Sequence, residues 1–341
     1  VKLSVNIAPD GRNKDELTGL RFARVRAPLW HEHADAIRSC FANARAHGIG
    51  TLAVLDRTSI GADPADWPHQ IQWWRDHMGG TVERWQAGNE MDNAHGLSSS
   101  TMSPRNFRTL LRMARRGLGS DAYIVAGGLV TGQPSWIEPI VAACAAEVNA
   151  FAYHPYGQGT PSYGSPYGEM FGGLHHLHHA YRQVIPADKP IQLTEWGADA
   201  FDLGEEKQNE YVDQMMQYLR GLGDPEEVYY FALHGDVAGF GMVRQDGSRR
   251  GIYAALDGFA RMMNNERRPT PPPPLPPAPP SRRQITAGPN GEWIGSGLLD
   301  TINRAGLRPS SGEQQFPGVA TDAGMLIWTP GGPKLIRWEG V

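Results

Sequence analysis

Two cysteines, Cys40 and Cys144, are all that this chain of 341 residues contains. No disulfide framework can be built on so few, and no Cys/His spacing of a zinc site is present. Both lie in helix-like stretches and are expected as free buried thiols. Basic residues are also scarce, with 32 Lys and Arg against 36 Asp and Glu, a net charge of −4. Nucleic acids and anionic membranes are bound through clustered cations that release counterions, so neither is an expected partner. No apolar run approaches the roughly 18 residues of a membrane span. The stretch Val1–Ala8 is too short and too alternating for a signal-peptide core. Nor does a Gly-rich phosphate loop follow the first apolar strand, where the chain reads Pro9-Asp10-Gly11-Arg12-Asn13. That argues against a doubly wound dinucleotide fold, and no cofactor is implied.

What is present is apolar bulk and flat side chains. Apolar residues make up 40% of the chain, enough for a large core. Ten Trp, eleven Tyr and twelve His supply surfaces that suit a sugar-binding cleft as well as a core. Proline is concentrated, with nine of the twelve residues from Pro269 to Pro280 being Pro. Such a run is extended polyproline II, a semi-rigid spacer that can continue neither a helix nor a sheet. The expected organisation is a main domain over 1–266, a linker over 267–284 and a small α+β module over 285–341. In that module a helix is expected at Gly297–Ala305 and a hairpin at Met325–Trp328 and Lys334–Trp338.

Ahead of the linker, strand and helix signals alternate. Strands are expected at Lys2–Ala8, Ala23–Leu29, Thr51–Asp56, Val82–Gly88, Tyr123–Gly127, Val148–Tyr153, Ile191–Thr194 and Val228–Leu233. Helices are expected at Ala34–His47, Ala65–His77, Pro104–Leu118, Ser135–Ala146, Leu174–Val184, Glu205–Leu222 and Ile252–Asn264. The first crossover, near Asp15–Leu20, has at most a single turn. Ser103 before Pro104 reads as a helix start, and Gly48 and Gly223 as helix stops. Eight short strands with helical crossovers in about 260 residues predict a (β/α)8 TIM barrel.

Two segments deliver a glutamate where a strand becomes a loop, Gly88-Asn89-Glu90 after the fourth strand and Thr194-Glu195-Trp196-Gly197 at the seventh. Barrel enzymes carry their catalytic groups at the C-terminal strand ends. Two carboxyl groups at one mouth are what glycoside hydrolysis requires, one as proton donor and one as nucleophile or base. A single strand-end Glu is usually a solvated charge; a pair at these strand numbers is much less easily accidental.

These motifs resemble the strand-four and strand-seven motifs of clan A glycoside hydrolases, retaining enzymes on a (β/α)8 barrel, with family 39-like and family 5-like patterns nearest. The resemblance spans roughly residues 1–265. It implies Glu90 as general acid/base, Glu195 as nucleophile and Asn89 as a ligand of the sugar 2-hydroxyl. Tyr153-His154-Pro155-Tyr156-Gly157 resembles the strand-six end, which implies that His154 or Tyr156 orients the nucleophile. Arg26 resembles the strand-two arginine that pairs with it. Two departures stand out: Met91 replaces a common Pro, and Phe231–Gly235 lacks the common Trp.

Other candidates rest on position. Trp196, beside Glu195, is a candidate sugar-stacking platform. Trp30 and His31 follow the second strand, and His234 the eighth, so each can line the cleft. Trp85 alternates with Gln86 and should face the surrounding helices, while at least one of Trp73 and Trp74 should be core. The segment Gln158–Gly173 follows strand six on the active face and should shape the cleft through Tyr163 and Tyr167. His175 and His179 have the i, i+4 spacing of a metal pair, but no His-Glu-x-x-His pattern accompanies them and no metal is implied.

The expectation is therefore a retaining enzyme cleaving β-glycosidic bonds in a poly- or oligosaccharide, with a carbohydrate as partner. One alternative is a lytic hydrolase of the bacterial cell envelope, possibly phage-encoded. Another is a non-catalytic glycan-binding or virion structural barrel. The sugar, the linkage and the oligomeric state are not written in the sequence.

Overall fold

The computed structural model describes residues 1–11, 16–92, 102–130, 134–155, 174–222, 224–234, 239–264, 318–321, 324–329 and 332–337. Eight parallel strands close into a barrel in sequence order. They are β1 Lys2–Asn6, β2 Arg24–Pro28, β3 Gly50–Leu55, β4 Arg84–Ala87, β5 Tyr123–Leu129, β6 Ala150–Tyr153, β7 Ile191–Trp196 and β8 Glu227–Tyr230. The α-helices are α1 Ala34–Ala46, α2 Arg57–Ile60, α3 Trp67–Met78, α4 Pro104–Leu118, α5 Pro134–Cys144, α6 Leu174–Val184, α7 Ala200–Leu203, α8 Glu205–Leu222 and α9 Gly251–Met263. The expected barrel is present, with strand limits shifted by a few residues.

The longer helices form because their apolar residues recur on one face, and α2, α4 and α7 also carry side-chain caps at their starts. Helix α4 buries Phe107, Leu110, Leu111, Ala114 and Leu118, the spacing of a single stripe. Ser103 caps it by accepting from the Asn106 N–H, and Pro104 holds the first helical position. The short α2 lay below the reach of periodicity. A capping box creates it: Asp56 accepts from the Ser59 N–H, and Ser59 Oγ from the Asp56 N–H. The first crossover holds one 3-10 turn, Glu16–Gly19.

Alternation along each strand divides the core in two. Outward residues pack against the helices, Trp85 and Tyr153 among them. The interior layer is Leu52, Val125, Ala150, Ala152 and Tyr229. Trp74 is fully buried while Trp73 is 42% exposed. Cys40 and Cys144 are buried free thiols.

A charge network closes the N-terminal end of the barrel. Glu227, fully buried at the start of β8, accepts from Arg24, from Arg84 Nη1 at 3.2 Å and from Ser4 Oγ. Burial would raise the carboxyl of Glu226, but Arg84 and Gln192 bring it below its ordinary range. The opposite, C-terminal end is where barrel enzymes carry their sites.

The chain divides into two units, Val1–Leu275 and Pro276–Val341. In the second, Gly318–Thr321, Gly324–Thr329 and Gly332–Arg337 form an antiparallel three-stranded sheet. The hairpin between the last two was expected, whereas the strand before it was not. The helix expected at Gly297–Ala305 lies outside the described residues. Among the described residues no helix is long and apolar enough to cross a membrane.

Candidate active site

The last residues of the strands converge at the C-terminal mouth. Glu195 is the penultimate residue of β7 and points inward, while Glu90 stands just past β4. Glu90 has φ +51°, the one positive φ of a non-glycine residue among the described residues. A left-handed conformation costs about 1–2 kcal/mol in an L-residue. It is held here by the Glu90 N–H, which donates to the Gly128 carbonyl at 2.8 Å. The chain thereby folds back over the barrel and presents the Glu90 carboxyl to the mouth.

Arg26 organises the floor. It is 3% exposed and uses three nitrogens on four partners. Its Nη1 donates to Glu195 Oε1 at 2.7 Å and to Asn6 Oδ1, its Nε to Gln86 Oε1 at 2.8 Å, and its Nη2 to Asn89 Oδ1 at 2.7 Å. A guanidinium pre-organised in this way holds a carboxylate in one orientation. Asp56, at the end of β3, lies within its field. Burial pushes the Asp56 carboxyl up, opposed by the Ser59 and Thr58 amides and by Arg26.

His154 joins the two glutamates. Its Nδ1 lies 3.2 Å from Glu90 Oε1 and 3.9 Å from Glu195 Oε2, and its Nε2 is 3.0 Å from Thr194 Oγ1. The imidazole is fully buried and is pressed by the backbone of Gly128, where a Cβ would stand 2.4 Å from Nε2. The neighbouring Tyr153 faces the helices. Its hydroxyl meets His178 Nδ1 at 3.0 Å, His178 Nε2 meets Asp224 at 3.2 Å, and Arg182 holds that carboxylate at 2.9 Å. This second polar chain anchors the strand that carries His154. One carboxylate oxygen of Glu90, one of Glu195 and a ring nitrogen of His154 all lie within 4.8 Å of one another.

The structure therefore brings Arg26, Asn89, Glu90, His154 and Glu195 to one point. His154 was expected to orient Glu195 and lies nearer Glu90. Trp196 corrects an expectation. It is completely buried, with its ring edge-on to Tyr230 at 5.1 Å, so it offers no stacking face. The cause is an irregular end of β7: the register shifts between Leu193 and Trp196, so that Thr194 and Glu195 both reach the mouth while Trp196 packs on the helix side. Trp30 is half-buried and stacks on His33. His31 packs against Trp73 and Trp74 and reaches the Ser59 carbonyl. His234 pairs with Glu16 at 2.9 Å rather than with either central glutamate. Tyr156, Tyr163, Tyr167 and the side chain of His175 lie outside the described residues. His179 is exposed and pairs with Gln183.

Three participants escaped the sequence reading. Asn6, on β1, accepts from Arg26 and donates to the Thr194 carbonyl at 3.0 Å and the Tyr230 carbonyl at 3.3 Å, tying β1, β2, β7 and β8 together. Gln86 accepts from Arg26 and donates to the Gly88 carbonyl at 2.9 Å and to Asn89 Oδ1 at 3.2 Å. Thr194 supports His154. The inward parity of Asn6 and Gln86 on strands that alternate polar and apolar residues was the available signal.

Fold and mouth define an α/β barrel whose C-terminal end carries two close carboxyl groups. Solved structures share this architecture. A family 39 glycoside hydrolase from the gut symbiont Bacteroides cellulosilyticus WH2 is 17% identical, with TM-score 0.59 over 77% of this chain, which spans only 64% of that protein. A family 30 subfamily 8 xylanase from Clostridium acetobutylicum is 15% identical, with TM-score 0.55, over 76% of this chain and 71% of the other. The endo-β-1,4-glucanase Xac0029 from Xanthomonas axonopodis pv. citri is 16% identical, with TM-score 0.54, over 77% and 99%. At these identities the likeness shows the fold. No family model and no curated protein matches the chain.

Proposed function

We propose that this barrel is a retaining β-glycoside hydrolase acting on a poly- or oligosaccharide. The observation that carries the reading is the pairing of Glu195 with Arg26 at 2.7 Å while a Glu90 oxygen lies within 4.8 Å of a Glu195 oxygen. Retaining enzymes hold their carboxyl groups about 5–5.5 Å apart, and inverting ones about 6.5–9.5 Å apart to admit a water. The short separation supports retention.

Glu195 attacks the anomeric carbon as the glycosidic C–O bond breaks, and Glu90 gives its proton to the leaving oxygen. A covalent glycosyl-enzyme results. Glu90 then takes a proton from water, whose oxygen displaces Glu195 and releases the sugar. Arg26 holds Glu195 in one orientation. In the tautomer whose Nε2–H donates to Thr194 Oγ1, His154 Nδ1 accepts from protonated Glu90 and holds the acid in place. The Oδ1 of Asn89 is committed to Arg26 and Gln86, so its amide N–H groups are the donors for a sugar hydroxyl.

A panel of β-linked glycans, with product stereochemistry followed by NMR, tests the reading. Retained configuration is expected, with losses of about 10⁴-fold or more in Glu195→Ala and Glu90→Ala. A 2-fluoro-glycoside should label Glu195. Inversion, or full activity in either variant, would overturn the assignment.

A further inference from the structure

We propose that Glu90, His154 and Glu195 also form a binding site for one borderline transition-metal cation, best matched by Zn²⁺, which occupies the mouth in competition with substrate. The inference rests on the positions of three side chains, not on the hydrolase reading, although both use the same groups.

The geometry comes first. Zn²⁺ binds imidazole nitrogen and carboxylate oxygen at about 2.0–2.2 Å, so ligand atoms around a tetrahedral ion stand about 3.3–3.6 Å apart. His154 Nδ1 is 3.2 Å from Glu90 Oε1 and 3.9 Å from Glu195 Oε2, and the three donors all lie within 4.8 Å. Among the described residues no other group of three or more His, Cys, Asp or Glu side chains converges in this way. Small rotations of the two glutamate side chains, 19% and 10% exposed, complete three corners of a tetrahedron. The fourth corner is left for an exchangeable ligand, the pattern of three protein ligands plus an exchangeable position.

The surroundings suit such a ligand set. A metal-bound imidazole usually has its other nitrogen held by a polar partner, which fixes tautomer and ring angle. Thr194 Oγ1 does so at His154 Nε2, and the Gly128 backbone wedges the ring in place. Arg26 engages Oε1 of Glu195, while Oε2 is the oxygen that faces His154. Two carboxylates beside one imidazole form a donor set of the kind that takes a divalent cation. One nitrogen and two oxygens favour Zn²⁺ over Mg²⁺ or Ca²⁺, which require six or more oxygen ligands. A bound ion ties both glutamates to itself and excludes a sugar from between them.

Isothermal titration of chelator-treated full-length protein with ZnCl₂ and MgCl₂ tests the site. The expected result is one saturable Zn²⁺ site per chain and no measurable Mg²⁺ binding. Zn²⁺ affinity should fall about tenfold or more in Glu90→Gln and in His154→Ala. It should stay unchanged in the doubly substituted His175→Ala, His179→Ala control. Glu90→Gln preserves side-chain shape and carries the test if His154→Ala does not fold by circular dichroism. Wild-type Zn²⁺ affinity in Glu90→Gln, loss of binding in the control, or equal affinity for Mg²⁺ would overturn the proposal. Zn²⁺ binding without turnover of any glycan would sink the hydrolase reading alone. Turnover without specific Zn²⁺ binding would sink this one alone.

Discussion

Arg26 Nη1 lies 2.7 Å from Glu195 Oε1, and the same guanidinium reaches Asn89 through Nη2, also at 2.7 Å. One side chain from β2 thus aligns the β7 carboxylate and the residue preceding the β4 carboxyl group. Lysine can place a charge there but cannot fork to four acceptors. Arg26→Lys should retain the fold and lower kcat/KM on the order of 10²-fold, mostly through kcat. Steady-state kinetics with a melting curve check this, and a fall confined to KM would count against it.

Glu90 is held at φ +51°. Glycine adopts that conformation without the penalty that a Cβ carries. Glu90→Gly should therefore be more stable than Glu90→Ala by about 1 kcal/mol, while both are inactive. Both variants lose the same carboxyl group, so the difference between their urea midpoints isolates the backbone.

The network at the far end of the barrel makes a separable prediction. Replacing Glu227 by Ala leaves Arg24 and Arg84 without their shared buried carboxylate. Removing one partner of a buried ionic group costs about 3–5 kcal/mol. Glu227→Ala should lower the urea midpoint accordingly. The folded fraction, assayed well below that midpoint, should keep wild-type kcat, because this network stands at the opposite end of the strands from Glu195.

Glu205, the first residue of α8, carries an acid-sensitive contribution. The Arg244 hydrogen bond foremost, with the charges of Arg244 and Arg250, holds its carboxyl below the ordinary range against a smaller opposing effect of burial. A carboxyl lowered on folding stabilises the native state above its unfolded pKa of about 4.3 and loses that contribution as pH falls through the lowered folded value. Melting temperature should therefore drop less steeply below about pH 4.3 in Glu205→Gln than in the parent chain. Parallel slopes would show that Glu205 adds nothing to the acid transition.

The order of eight strands, most helix spans and the Ser103 cap were legible because they follow from local periodicity and end chemistry. So were the two glutamates, since strand-end position is a property of the chain itself. What the tertiary structure alone decided is which side chains meet. Trp196 was misread because adjacency in sequence suggested adjacency in the cleft, whereas the irregular end of β7 sends Thr194 and Glu195 to the mouth and Trp196 to the helices. Asn6 and Gln86 hold polar, inward positions of alternating strands, Lys2–Asn6 and Arg84–Ala87. Barrel closure stacks their inward positions against Arg26, and that makes them part of the site. His154 approached Glu90 more closely than Glu195 because the left-handed turn at Glu90 folds that carboxyl over the mouth, a conformation that residue type does not announce. The sequence by itself determined the elements and the kind of chemistry their ends can support. Closure of the barrel determined the distances, since these contacts join residues far apart in the chain and arise only once β8 pairs with β1.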